Sequence, residues 1–322
     1  MKLIIQDKNK ISKFATIFQY AKNFTETIIL DFTQERLYIQ SMDKAHVCLL
    51  ELHLQNDWFD LYEYEDEKEN LFVGVNNELF YKIINSKQEE QQMKIEYEDG
   101  SDTINLSFSE KEDLEELKNA KNAKKKNAKN AKNAKKKNAN NKSKKKGKQK
   151  QNEKTKEKEG EKKDKSKHFS KSFEMKTFDI ENQLLGIPEY DYSVDLILPA
   201  KVCVSLSQEL SMFNDNVRII CSQDNVELIA SGNTGKMKVN MDIDDVIEYA
   251  IEEGVQLDIT YSIQYFQLMC QFHKLADKVT LGFSENLPMT MMYELDETSS
   301  MKFYLAPVMD DGNEEDNNEE ED

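Results

Sequence analysis

Chemistry on this chain needs reactive side chains at usable spacing, and the candidates are four cysteines, four histidines and 61 carboxylates. Cys48, Cys203, Cys221 and Cys270 lie far apart, three of them in largely apolar runs. That pattern predicts reduced thiols in the core of an intracellular protein, not a disulfide framework. A metal centre needs clustered ligands, and His46, His53, His168 and His273 do not cluster with the cysteines. There is no phosphate-binding glycine-rich loop with a lysine, no paired metal-ligand motif and no nucleophile elbow. Acidic pairs abound, but among so many acids they carry no information. The expectation is a protein that is not an enzyme and holds no metal or cofactor.

What remains is the chemistry of docking. Three short segments stand out: Gln40-Ser41-Met42-Asp43-Lys44-Ala45-His46-Val47, Leu185-Gly186-Ile187-Pro188-Glu189-Tyr190 and Tyr304-Leu305-Ala306-Pro307. Charge is the second binding signal. Residues 118–167 hold 23 basic and 5 acidic residues, a net +18, which leaves 21 basic and 56 acidic residues elsewhere, a net −35. An acidic body therefore carries one basic insert. Blocks of like charge are usually solvated and disordered. No apolar run reaches the ~18 residues of a membrane span, and residues 1–7 lack the long apolar region of a secretory signal.

The elements that must position these segments follow from periodicity. Ile11, Phe14, Ala15, Phe18 and Ala21 predict a helix over residues 10–20. Residues 1–5, 27–32, 37–40 and 71–75 read as strands, with 27–32 and 37–40 paired around a turn at 33–36. Residues 46–54 form one extended segment, 77–84 a short helix, and 93–97 with 103–108 a hairpin. The second half repeats this grammar roughly 190 residues later. It reads as a strand at 194–198, a helix at 200–210, a hairpin of 217–221 with 226–230, a strand at 255–261, a helix at 263–272, and strands at 279–283 and 289–293. The fold class is α+β, with two similar domains of largely antiparallel sheet and two helices each.

Between residues 111 and 167 the pattern stops, and Asn-Ala-Lys units recur. Low complexity without an apolar face predicts disorder. The insert, at about 112–167, elongates a hairpin between strands at 104–108 and 172–178, at little extra loop-closure cost. The organisation is then a first domain at 1–178 containing the insert, a connector at 179–192, a second domain at 193–309 and a disordered acidic tail at 310–322.

The three docking segments, in this order, make the chain resemble the proliferating cell nuclear antigen family, the sliding clamps of DNA replication. The resemblance implies a ring of three identical subunits around duplex DNA, pseudo-sixfold, with helices lining the hole and sheets outside. It implies sequence-independent binding of double-stranded DNA and tethering of DNA polymerase, clamp loader, flap endonuclease and ligase through short aromatic peptide motifs. The matching pocket positions are Met42, His46, Val47, Leu49, Leu185, Ile187, Leu287, Pro288, Tyr304, Ala306 and Pro307. Lys13 and Lys82 match DNA-facing positions, and Lys10, Lys22, Lys87, Lys201 and Lys274 are further candidates. The subunit contact maps to Ser172, Phe173, Met175 and Phe178 on one edge and to Lys236, Lys238 and Asn240 on the other. The implied location is the nucleus or another intracellular site of DNA replication, such as a viral replication compartment.

The chain also departs from the family. Ser205, Gln208, Gln271 and Asn85 stand where relatives carry basic residues, so the hole should be less positive, above all in the second domain. The connector starts a residue or two longer, at Asn182-Gln183-Leu184-Leu185. The basic insert reads as a DNA contact, a neutral expansion or an import signal. Rival readings are a checkpoint clamp of three different subunits and a monomeric polymerase accessory factor. Intact docking segments argue against the first and weak inner charge against the second.

Overall fold

A computed structural model describes residues 1–64, 68–115, 169–178 and 184–309. The first half runs β1 (Lys2–Ile5), α1 (Lys8–Ala21), β2 (Thr27–Phe32), β3 (Arg36–Met42), β4 (Cys48–Gln55), β5 (Leu61–Glu63), β6 (Leu71–Asn76), α2 (Asn77–Asn85), β7 (Gln92–Glu96), β8 (Thr103–Ser109) and β9 (Lys171–Lys176). The second half repeats that order: β10 (Val194–Pro199), α3 (Ala200–Leu210), β11 (Asn216–Cys221), β12 (Asn225–Gly232), β13 (Gly235–Asp242), β14 (Glu248–Ile251), β15 (Leu257–Ser262), α4 (Ile263–Cys270), β16 (Lys278–Phe283), β17 (Met289–Glu294) and β18 (Ser300–Leu305).

The helices follow from caps and stripes. Asp7 accepts the Lys10 N–H at 2.8 Å and opens α1, whose buried Ile11, Phe14, Phe18 and Ala21 form one stripe. Asn76 caps α2 through the Leu79 N–H at 2.9 Å. α4 is shorter than the periodicity predicts, because a 3₁₀ turn takes over at Gln271–Lys274.

The strands form three antiparallel sheets. One has the order β5-β1-β7-β8-β9, one β13-β12-β11-β15, and a nine-stranded sheet runs β14-β10-β16-β17-β18-β4-β3-β2-β6. The last joins the two halves through β18 and β4, from Ser300 opposite His53 to Leu305 opposite Cys48. Behind that junction Tyr20 and Phe24 of the first half meet Phe272 and Phe303 of the second, with Phe272 and Phe303 centroids 5.0 Å apart. All four cysteines are free and buried, and burial pushes the thiols of Cys203 and Cys221 up to about 12. Such groups are poor nucleophiles at neutral pH.

β8 and β9 pair with Leu106 opposite Phe173, so the residues between them connect neighbouring strands. Its first residues are held: the Glu112 N–H donates to Gln92 Oε1 at 3.1 Å, and its carbonyl accepts from Gln6 at 2.8 Å. Residues 116–168, the start of the connector at 179–183 and the acidic tail at 310–322 lie outside the described residues, as do the disorder expectations placed there. The strand expected over 172–178 ends early, at Lys176. Phe178 instead donates its N–H to the Gly74 carbonyl at 2.9 Å, because the chain there crosses to the free edge of the nine-stranded sheet.

Phe272 is fully buried at the meeting of the two halves. Truncation to Ala should cost about 3–5 kcal/mol. Guanidinium unfolding would register this as a lower midpoint at unchanged slope.

Candidate functional site

The three docking segments converge on the outer face of the nine-stranded sheet, across the β4–β18 seam. Strand pairing sets Met42 opposite Leu49, Leu49 opposite Tyr304, and Tyr304 opposite Thr290. These residues form one row, since their strand neighbours Cys48, Leu50, Phe303 and Leu305 face the core. Leu49 is buried, whereas Met42 and Tyr304 are half-buried. At the seam's end the Ala306 N–H donates to the Val47 carbonyl at 3.0 Å. Pro307 follows, half-buried. Leu287 and Pro288, also half-buried, sit in the loop before β17, where the Pro288 carbonyl accepts the Tyr192 hydroxyl at 3.2 Å.

The connector forms the opposing wall. Gln40 clamps it at two points: its amide oxygen accepts the Leu185 N–H at 2.7 Å and its amide nitrogen donates to the Leu185 carbonyl at 3.0 Å. Leu185 is 50% exposed and Ile187 half-buried, so aliphatic surface remains on offer. Below Gln40 the buried Glu51 carboxylate accepts the Tyr38 hydroxyl, the Tyr304 hydroxyl at 2.9 Å and the Gln40 amide at 3.3 Å. Burial, followed by Glu51, pushes the Tyr304 phenol well above its ordinary value. Glu51 lies outside every docking segment, and Gln40, although it opens the first, is not among the expected pocket positions; both belong to the candidate site. The available signal was alternation, which puts Tyr38, Gln40 and Met42 on one face of β3, with Gln40 opposite Glu51 on β4.

The turn between β3 and β4 explains the Met42-Asp43-Lys44-Ala45-His46 pattern. The buried Asp43 carboxylate accepts the N–H groups of Ala45, Val47 and Cys48 at 2.7–2.8 Å and the Tyr265 hydroxyl at 2.8 Å. His46 is exposed in the left-handed region, at φ 61°. A non-glycine residue persists there because its surroundings determine it. Burial alone would raise the Asp43 carboxyl, but its hydrogen bonds, led by the Cys48 N–H, outweigh that and hold it below the usual range. Tyr265 is pushed up to about 12 by burial and by Asp43.

The seven lysines expected to face DNA separate. Lys10 donates to the Trp58 carbonyl at 2.6 Å with its amine over the indole ring, and Lys22 lies over Tyr81. Lys82 pairs with Glu78 at 2.6 Å. Lys87 donates to the carbonyls of Gln88 and Glu89, and burial pulls its pKa down. Lys13, Lys201 and Lys274 come together around one open cavity. The residues expected at the subunit contact fall on the free edges β9 and β13, apart from Phe178, which lies past the end of β9 and is 49% exposed. Met175 is buried, Phe173 packs on Phe108 at 5.9 Å, and Ser172, Lys236, Lys238 and Asn240 are exposed. Among the described residues no group of three or more His, Cys, Asp and Glu could hold a metal ion.

The depressed Asp43 carboxyl stabilises the fold above its unfolded pKa near 3.8, and that contribution is lost as pH falls through the lower folded value. Asp43→Asn should therefore cost about 1.5–3 kcal/mol at pH 7. The gap to wild type should narrow below pH 4. Melting curves at pH 7 and pH 3 check this.

Two family models match. The one described as proliferating cell nuclear antigen, N-terminal domain, matches residues 7–127, and the one described as proliferating cell nuclear antigen, C-terminal domain, matches residues 186–308. Between them they take in α1 to β8 of the first repeat, the whole of the second, and the three docking segments apart from Leu185. The chain belongs to the proliferating cell nuclear antigen family, the non-catalytic sliding clamps that act as processivity factors in DNA replication.

Proposed function

We propose that three copies of this chain close into a ring around duplex DNA and that the cleft between connector and sheet tethers polymerase and other replication proteins at its outer surface. One observation carries the ring. The nine-stranded sheet is five strands of the second repeat, β14-β10-β16-β17-β18, joined to four of the first, β4-β3-β2-β6. The two remaining sheets are the same halves left apart: five strands ending at β9 and four ending at β13. Each subunit thus has, in open form, the junction it closes internally. Joining β9 of one copy to β13 of the next is a heterologous contact, which generates a ring when its rotation closes. It also covers two edges that would otherwise template aggregation.

The internal seam supplies a register. By position in the repeat, Phe173 corresponds to Phe303 and Met237 to Leu50, and the latter residues are paired across the seam. Copying that register sets Phe173 opposite Met237, Ser172 opposite Lys238 and Glu174 opposite Lys236. Opposite charges facing each other across antiparallel strands are favourable.

A ring is topologically linked to closed DNA, and a tethered polymerase stays at high effective concentration. The cleft suits short peptides with aromatic anchors, which concentrate affinity in a few side chains. DNA polymerase, clamp loader, flap endonuclease and ligase are the partners proposed, and the site of DNA replication, generally nuclear, is the proposed location.

Light scattering tests the assembly: three chains of 37.6 kDa give about 113 kDa, whereas a mass near one chain would sink the closed homotrimer. Lys236→Glu should weaken the trimer, and adding Glu174→Lys should restore it; a double variant no better than the single one would mean a different register. For the cleft, Gln40→Ala should lower affinity for a Gln-aliphatic-aromatic-aromatic peptide several-fold at unchanged trimer mass, read by fluorescence anisotropy.

A further inference from the structure

The cavity shared by Lys13, Lys201 and Lys274 concentrates positive charge that the helix faces of the second domain lack. Lys13 reaches it from α1, Lys201 from the first turn of α3, Lys274 from the 3₁₀ turn after α4 and Lys278 from the start of β16. Four lysines from four elements and both domains line one open space of about 690 Å³, against the two carboxylates Asp277 and Glu294. Glu294 is matched to Lys278 at 3.5 Å, and Lys13 is anchored on the Leu295 carbonyl at 3.1 Å. Lys201 and Lys274 are exposed, and no described carboxylate pairs with either. Elsewhere on α3 and α4 the exposed side chains are Val202, Ser205, Gln208, Glu209 and Gln264, none of them cationic.

Amines that converge on one space repel one another, and an anion relieves that repulsion. The net charge of the chain is −17, so a local excess of lysine is a strong departure from its surroundings. We propose that this interdomain bay is where the second domain holds the DNA backbone: it takes phosphodiester groups, and it replaces the cations missing from the faces of α3 and α4. The bay lies near the start of α1, whereas the docking turn at Asp43 meets the other ends of the helix layer, at Lys22 and Tyr265. The proposed backbone contact and the docking turn therefore sit at different ends of the helix layer. This proposal rests on the reading that duplex DNA passes through the ring, and it adds the location and chemistry of one point of attachment.

The test compares wild type with a Lys201→Gln/Lys274→Gln double variant, titrating duplex DNA at several salt concentrations. Lys94→Gln is the control, since Lys94 pairs with Glu96 on a strand whose Met93 and Ile95 face the core. The slope of log affinity against log salt should fall by about 0.9 for each phosphate that is no longer neutralised. The double variant should show a drop of between one and two such units and the control none. An unchanged slope in a double variant of trimer mass would overturn the bay. Free polyphosphate shares the chemistry, so tripolyphosphate binding is measured by calorimetry. Binding that the double variant abolishes, with the DNA slope unchanged, would overturn the assignment to DNA. Retention of wild type on closed circular DNA is scored separately. Its failure would sink the ring while the salt slope on linear duplex still decides the bay.

Discussion

The β4–β18 pairing is the interaction on which the rest of the molecule depends. Six residue pairs, Ser300–Leu305 against Cys48–His53, convert two half-sheets into one of nine strands. The row from Met42 through Leu49 and Tyr304 to Thr290 crosses that seam, so neither domain alone contains the floor of the cleft. On the core side the same seam is sealed by Phe24, Phe272 and Phe303. Hydrogen bonds fix the register and buried rings supply the stabilisation, since aromatic side chains bury the largest apolar area per residue. A slip of β18 by one residue would turn Tyr304 into the core and Phe303 out of it, and a slip of β4 would do the same to Leu49 and Leu50.

The same grammar explains how the edges of the protein can be selective. Two copies of one order of strands and helices must end in complementary halves, because the break between repeats falls inside a sheet. Along the exposed edge β13, Lys236 and Lys238 alternate with the half-buried Met237 and Val239. Charges on an edge strand discourage indiscriminate pairing. In the proposed trimer an edge with a matching carboxylate, as Glu174 supplies on β9, would be favoured over one without. This is selection by charge on top of hydrogen bonds that any strand could make.

Much of the fold is legible in the sequence because its buried stripes are regular. Ile11, Phe14, Phe18 and Ala21 report a helix, and the turn at 33–36 reports a hairpin, from local spacing alone. β5 and β14 are not legible, because three or four residues cannot show a period and both exist through pairing with β1 and β10. β18 turns Met301, Phe303 and Leu305 inward, yet its outward Tyr304 marks it in the sequence as a docking segment first and a strand second. At the site, Gln40 and Glu51 need cross-strand register to be recognised as a pair. The fate of the lysines is illegible for the same reason. That Lys10 lies against Trp58, 48 residues away, is a fact of tertiary structure. A count of cations along a helix therefore overstates what the helix can present to an anion.

The two walls of the proposed cleft are held with very different stiffness. The rim at Asp43–Val47 is fixed by four hydrogen bonds into one buried carboxylate, one of them from Tyr265 in the helix layer, and it includes a residue in the left-handed region. Ordering that rim adds no cost when a peptide arrives, because the cost was met in folding. The facing connector, at Leu185, rests on one glutamine side chain, whose two hydrogen bonds contribute about 0.5–1.5 kcal/mol each. A wall held so lightly can shift to fit aromatic side chains of different size, while the rim and the floor hold the peptide's register. On the proposed function, preorganisation on one side and compliance on the other would let a single cleft accept many partners without giving up a common anchor.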